Sequence, residues 1–264
     1  MPRLILALVL LVFAGCGGAA EDSKAARATS AGSAGEALTA VDVERFLKVV
    51  HDHEEAMIPE FTPPDEEESL DPMASASALV ESYQTQCRRL FDVERQGSIW
   101  RRDTQWSRAM ARSKIAPDRF AALVRDVSLA IMRVRLESRI DVARLVTEAR
   151  RQVDRAVRTM DEIDQVPLHE RTQEAVTLRT RNVIQLGRAV ALLEFAELIR
   201  NVPPESAAVV RRYSSQLKPL LPASIKDELL AELKNLAVNR DSEVEPASFE
   251  VEEEASRDSA APGR

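Results

Sequence analysis

Apolar positions along the middle of this chain recur at three- and four-residue steps, the repeat of helices that bury one face. From Phe120 the series Val124, Val127, Ile131, Val134, Val142, Leu145, Ala149, Val153, Ala156, Met160 and Ile163 continues to Pro167 and predicts a helix opened by Pro117-Asp118. Such spacing is that of a coiled-coil-like seam. The register slips between Val134 and Val142, where Ser138 takes the seam position. Uninterrupted, the rod would measure about 70 Å at 1.5 Å per residue, which predicts an elongated molecule.

The same pattern, read with its start and stop signals, places five more helices. Leu38-Thr39-Ala40-Val41-Asp42-Val43 reads as a complete helix start: Thr39 as N-cap, Asp42 closing a capping box and Leu38 stapled against Val43. A first helix is expected from there to about Met57, with Val43, Phe46, Leu47 and Val50 as its stripe. Asp71-Pro72 supplies an N-cap and an N1 proline. A second helix is expected from that point to about Ser113, through Leu79, Tyr83, Cys87, Leu90, Glu94 and Trp100, with Gly97 as its weak point. Residues 168–202 predict a fourth helix, striped by Thr172, Val176, Arg179, Val183, Leu186, Val190 and Leu193 and apolar nearly all round at 190–199. Pro203-Pro204 breaks the chain. Beyond it Ala207, Val210, Tyr213 and Leu217 predict a short fifth helix, and Ser224-Ile225-Lys226-Asp227 caps a sixth through Leu229, Leu233 and Leu236.

These elements predict an all-α fold: an elongated antiparallel bundle over residues 38–240. Three long helices, a broken fourth rod made by helices five and six, and a short N-terminal helix across an open groove complete it. Two stretches fall outside the pattern. Residues 58–71 hold Pro59, Pro63 and Pro64 ahead of four consecutive acids, an acidic proline-rich loop, and residues 241–264 read as a disordered acidic tail. Composition agrees, since 4% aromatic residues and 8 glycines in 264 residues disfavour sandwiches and barrels.

Charge adds a polarity that the net value of -7 conceals. Residues 40–71 hold 11 acids against 2 bases, whereas 72–165 hold 18 bases against 13 acids. A basic helical middle is thus flanked by acidic segments.

Residues 1–15 stand apart. Arg3 gives a short cationic start, residues 4–13 are an unbroken apolar run, and Ala14-Gly15 precede Cys16, the layout of a secretory signal peptide. The run is about half the roughly 20 residues a spanning helix needs. Val12-Phe13-Ala14-Gly15-Cys16 resembles the lipobox of bacterial lipoproteins, with Phe13 where that family usually has Leu. The resemblance implies cleavage before Cys16, lipidation of its sulfur and membrane anchoring. Two or more acyl chains hold a protein firmly, at about 0.8 kcal/mol per buried CH2. Gly17 stands where inner-membrane retention uses Asp, so the resemblance implies a periplasm-facing protein of the outer membrane in a double-membraned bacterium. Residues 16–37 then read as a lipidated flexible tether.

Candidate chemistry is sparse. His51, His53, Glu54 and Glu55 form the one cluster of metal-ligand types, but residues two apart on a helix point about 200° apart. His51 with Glu55 could share an ion, and two ligands underfill a transition metal. The tract therefore reads first as a solvated helix end, with metal binding as the weak alternative. Cys87, the remaining thiol once Cys16 is lipidated, lies on an apolar stripe and is expected to pack. His169 adjoins Pro167 at a helix start. No nucleophilic triad, phosphate loop or dinucleotide fingerprint is present, so neither a catalytic set nor a cofactor is expected.

Candidate contacts for a partner are Phe61, Trp106, Arg144, Arg151 and Arg155. Phe61, alone among prolines and acids, is either a peg into the core or an exposed contact. Trp100 and Trp106, six residues apart, differ by about 240° on one helix and cannot share a seam. Arg102 and Arg108 could stack on Trp106. Arg144, Arg151 and Arg155 interleave with Glu148 and Asp154, as a solvated face, a surface for an anionic partner such as lipid headgroups or wall polymer, or a docking face for the acidic tail. These features favour a lipid-anchored helical interaction or scaffold protein of the cell envelope with a protein partner. The alternatives are a binding module for a small molecule, metal or envelope polymer, and an enzyme. Nucleic acid is not an expected partner for an exported protein.

Overall fold

The computed structural model describes residues 36–64 and 70–221. The expected signal segment, Cys16 and most of the expected tether, the acidic run 65–69, the helix expected from Ser224 and the acidic residues 241–264 lie outside the described residues. Among the described residues the fold is all-α: nine α-helices and two short 3-10 turns, without strands.

Helix α1 spans Ala40–His51 and opens on the capping box. The Asp42 N–H donates to Thr39 Oγ1 at 3.2 Å and the Thr39 N–H donates to Asp42 Oδ2 at 3.1 Å, while Leu38 and Val43 are both buried beside it. It ends six residues short of Met57, where the chain turns through Ala56 at a left-handed φ of 43°.

The single second helix expected over 72–113 is three helices, α2 (Ala76–Leu90), α3 (Val93–Arg102) and α4 (Thr104–Ser113). Aspartates make the breaks. Asp92 accepts from the Arg95 N–H at 3.0 Å, and Asp103 accepts from the Gln105 and Trp106 N–H groups at 2.9 and 3.0 Å. Each carboxylate satisfies donors that a continuous helix would have paired internally, so it starts a new helix. Ser75, not Asp71, caps α2; Asp71 closes a turn by accepting from the Met73 N–H at 2.8 Å.

The expected 70 Å rod is likewise divided, into α5 (Pro117–Glu137) and α6 (Val142–Asp164). Asp141 caps α6 by accepting from the Ala143 and Arg144 N–H groups. The slip of register around Ser138 marks this break. Helix α7 (Gln173–Arg200) is the longest, about 42 Å, and α8 (Pro204–Arg212) and α9 (Ser214–Leu217) follow.

Two groups of helices share one continuous core. In the first, α6 and α7 form an antiparallel hairpin, with Arg150 on Glu197 near its open end and Asp164 on Arg179 near its tip. Leu145, Ala149, Ala156 and Met160 of α6 meet the buried face of α7, and α2 lies on α7 with Tyr83 Oη donating to the Val183 carbonyl at 3.2 Å. In the second group α5 is central, packed by α1, α3 and α8, with α4 on α1. Arg133 of α5 donates to the Arg200 and Val202 carbonyls, capping the C-terminus of α7 and joining the groups. Two more distant clamps are the Leu38 N–H on Ser206 Oγ and the Ile58 N–H on the Leu220 carbonyl, both 2.9 Å. None of the described helices is long and apolar enough to cross a membrane.

Candidate functional site

The tract His51 to Glu55 follows the end of α1, and the fold scatters its side chains. His51 is exposed, whereas His53 is buried and lies flat on Trp106, with ring centroids 3.9 Å apart and planes 12° apart. His53 Nδ1 accepts from the Glu55 N–H, and Glu54 accepts from the Gln105 side chain at 2.7 Å. Among the described residues no three His, Cys, Asp or Glu side chains gather to hold a metal ion. The weak metal candidate His51, His53, Glu54 and Glu55 is thus not drawn together: His53 packs inward on Trp106, while His51, Glu54 and Glu55 are exposed.

His53 belongs to a chain of rings. Trp106 lies 6.1 Å from Trp100 and 5.5 Å from Phe120, Trp100 lies 5.4 Å from Phe120, and Phe120 reaches Phe46 at 6.1 Å. The kink at Asp103 lets both tryptophans turn inward, a placement the phase of a continuous helix forbids. Phe61 closes the chain at the other side, 5.7 Å from Trp100 and 6.2 Å from Phe91. Both Phe61 and Trp106, candidate partner contacts in the sequence, are therefore core residues. Phe61 is held there by α3: Arg95 donates to the Thr62 and Pro63 carbonyls, and the buried Gln96 accepts from the Thr62 N–H at 2.8 Å.

The arginines of α6 sit differently. Arg144, Arg151, Arg155 and Arg158 are all exposed on its outer side. Arg151 reaches Glu148 at 3.8 Å, and Arg158 turns back to its own helix at the Asp154 carbonyl. At this exposure such contacts contribute little, about 0 to 1 kcal/mol, so most of the stripe's positive charge meets solvent.

The hairpin tip holds a group that the sequence pattern did not single out. Arg179, with 3% of its side chain exposed, grips Asp164 through two hydrogen bonds of 2.7 and 2.8 Å. The same guanidinium donates to the Pro72 and Ala74 carbonyls, the latter at 2.8 Å. Arg171 adds a contact of 2.9 Å to Asp164 and donates to the Val166 carbonyl at 2.7 Å. Hydrogen bonds from Arg179 hold the Asp164 carboxyl below the usual aspartate range, against partial burial, and the charges of both arginines assist. This network fastens the segment just before α2 to the tip. Around it Met73, Val166 and Leu168 are 46, 42 and 58% exposed, three of the five large hydrophobic side chains that face solvent among the described residues. The available sequence signal was Val166-Pro167-Leu168 between two helices, together with an arginine on an otherwise apolar stripe.

Cys87 and His169 have no nucleophilic setting. Burial, with the charge of Glu194, pushes the Cys87 thiol up to about 12, so it stays protonated near neutral pH. His169 is exposed at the tip, 3.2 Å from the Glu170 carboxylate. No protein-family model, curated protein or solved structure matches the chain.

Proposed function

We propose that this chain is a lipid-anchored helical interaction or scaffold protein of the bacterial cell envelope, tethered through Cys16 and facing the periplasm from the outer membrane. The anchor rests on the lipobox resemblance at residues 12–16, and the interaction role rests on the outer side of α6. There Arg144, Arg151, Arg155 and Arg158 project from a rigid helix whose opposite face is fully used in packing. A stripe of planar, always-charged guanidinium groups fits carboxylates on a partner protein, and among the described residues only Glu148 meets it, at 3.8 Å from Arg151.

Crosslinking with mass spectrometry on the membrane-tethered protein in cells tests this reading. The expected result is one recurrent envelope protein crosslinked to the domain and lost when Arg144, Arg151, Arg155 and Arg158 are changed together to Glu. Recovery of no recurrent partner, or of one indifferent to the four charge reversals, contradicts it. The anchor is tested separately, because Cys16→Ser should release the protein from the membrane fraction and abolish its labelling by fatty acid.

A further inference from the structure

The tip of the α6–α7 hairpin combines features that oppose each other in a surface with no role. A loop that merely joins two helices can keep polar side chains outward at no cost, yet Val166 and Leu168 are among the most exposed large apolar residues described, and Met73 joins them from a different part of the chain. Water contact with these side chains is unfavourable in proportion to their apolar area. Scattered single hydrophobic residues carry no meaning on a surface, whereas a contiguous group marks a contact site.

Met73 is brought to the tip by specific bonds. Its two neighbours, Pro72 and Ala74, offer their carbonyls to the buried Arg179, whose other contacts are to Asp164. Arg171 ties Val166 to the same carboxylate. The Leu168 carbonyl also accepts from the Arg171 N–H at 3.4 Å, so the backbone beside all three apolar residues is tied to one partly buried ion-pair network before any partner arrives. A backbone fixed in advance loses little entropy on binding, which helps a small surface to bind usefully.

The charges beside the tip specify the partner. Asp161 and Glu162 in the last turn of α6, Glu170 in the 3-10 turn and Glu174 in the first turn of α7 are all exposed. The arginines of the tip, Arg171 and Arg179, are turned inward and consumed by Asp164 and by backbone carbonyls. Four exposed carboxylates thus stand beside the apolar group, against the exposed His169, 3.2 Å from Glu170, and Arg158 one turn earlier on α6, so carboxylates predominate at its border. Such a border repels an anionic lipid surface and attracts lysines and arginines.

We infer that the α6–α7 tip is a docking site for a short protein segment that carries apolar side chains flanked by lysines or arginines. The inference rests on the reading of the chain as an interaction protein and assigns it a second surface, opposite in charge to the outer side of α6. A scaffold with one basic face and one acidic, apolar end selects different partners at each.

The test uses the full lipidated chain in nanodiscs of neutral phosphatidylcholine, with empty nanodiscs as the blank. Two synthetic peptides share one leucine spacing, one flanked by lysines and the other by glutamates. The lysine peptide should bind and shift the methyl signals of Met73, Val166 and Leu168. Leu168→Glu, at a solvent-facing position that leaves the melting temperature unchanged, should weaken it roughly tenfold. Reversing the border with E162K, E170K and E174K together should exchange the preference to the glutamate peptide. No binding of the lysine peptide, equal binding of both peptides, or binding indifferent to Leu168→Glu overturns the inference. In-cell crosslinks that map to the arginine side of α6 while the peptides fail would sink the tip site and leave the interaction reading standing. Peptide binding without any in-cell partner would do the reverse.

Discussion

The α6–α7 hairpin and the ring cluster around α5 are stabilised by opposite means. In the hairpin two long helices meet through small and aliphatic side chains, Leu145, Ala149, Ala156 and Met160, and the tip is closed by Arg179 on Asp164. Around α5 the helices are short and interrupted, and large rings from α1, α3, α4 and the 58–64 segment fill the space between them. The contrast follows from shape. Small residues permit close helix approach over a long interface, while bulky rings need helices whose direction changes often enough to aim each ring inward. Breaks at Asp92 and Asp103 are the means of aiming Trp100 and Trp106.

Separate mutations distinguish the two regions. The largest effect is expected from Trp100→Ala, which removes a buried ring packed among Phe61, Trp106 and Phe120 and should cost about 4 kcal/mol. Hydrogen exchange should then rise in α1, α3 and α4 while the α6–α7 interface keeps its protection; equal loss in both regions would show that they are one cooperative unit. Arg179→Ala should cost about 3 kcal/mol, because it leaves Asp164 short of its main partner and two backbone carbonyls without a donor. Exchange should increase first at 71–75 and 164–173. Loss of protection around Trp100 instead would contradict the division.

Gly97→Ala is expected to cost about 2 kcal/mol, since the added carbon would lie 2.9 Å from the Asp118 N and 3.0 Å from its Cα, forcing α3 away from the start of α5. Urea denaturation checks it, and a variant as stable as the parent would mean that α3 can slide freely. The smallest effect is one of pH. The folded chain holds the Asp164 carboxyl below its ordinary 3.8, chiefly through the Arg179 hydrogen bonds. The unfolded chain therefore takes up that proton first as pH falls, so the stabilisation is complete above 3.8 and is lost below it. Urea midpoints measured at neutral and strongly acid pH should differ less in Arg179→Ala than in the parent.

Much of the fold was legible because its signals are local. The Thr39 and Asp42 capping box and the seam from Leu145 to Met160 each depend on residues a few positions apart, and both are present. The long helices expected over 72–113 and 117–167 were over-extended for one reason: Asp92, Asp103 and Asp141 fit a helical surface by pattern, yet each captures backbone donors and starts a new helix. The irreconcilable phases of Trp100 and Trp106 were already evidence of a break between them. Candidate contacts divided according to the same logic. Arg144, Arg151 and Arg155 lie outward as helix phase requires, whereas Phe61 and Trp106 were decided by neighbours distant in sequence. Arg179 was visible on the α7 stripe, but its partners Asp164, Pro72 and Ala74 come from other elements, and no spacing within one helix could identify them.

The central claim is that partners meet this protein on the outer side of α6 and at the hairpin tip. Its most direct test places a photocrosslinking side chain at Arg155, at Leu168 and, as a control, at the exposed Arg112 of α4, in the full-length protein in living cells. Discrete, reproducible protein adducts from positions 155 and 168, with none from 112, are predicted. Adducts from 112 alone, the same smear from all three positions, or no adduct at 155 and 168 would contradict the claim.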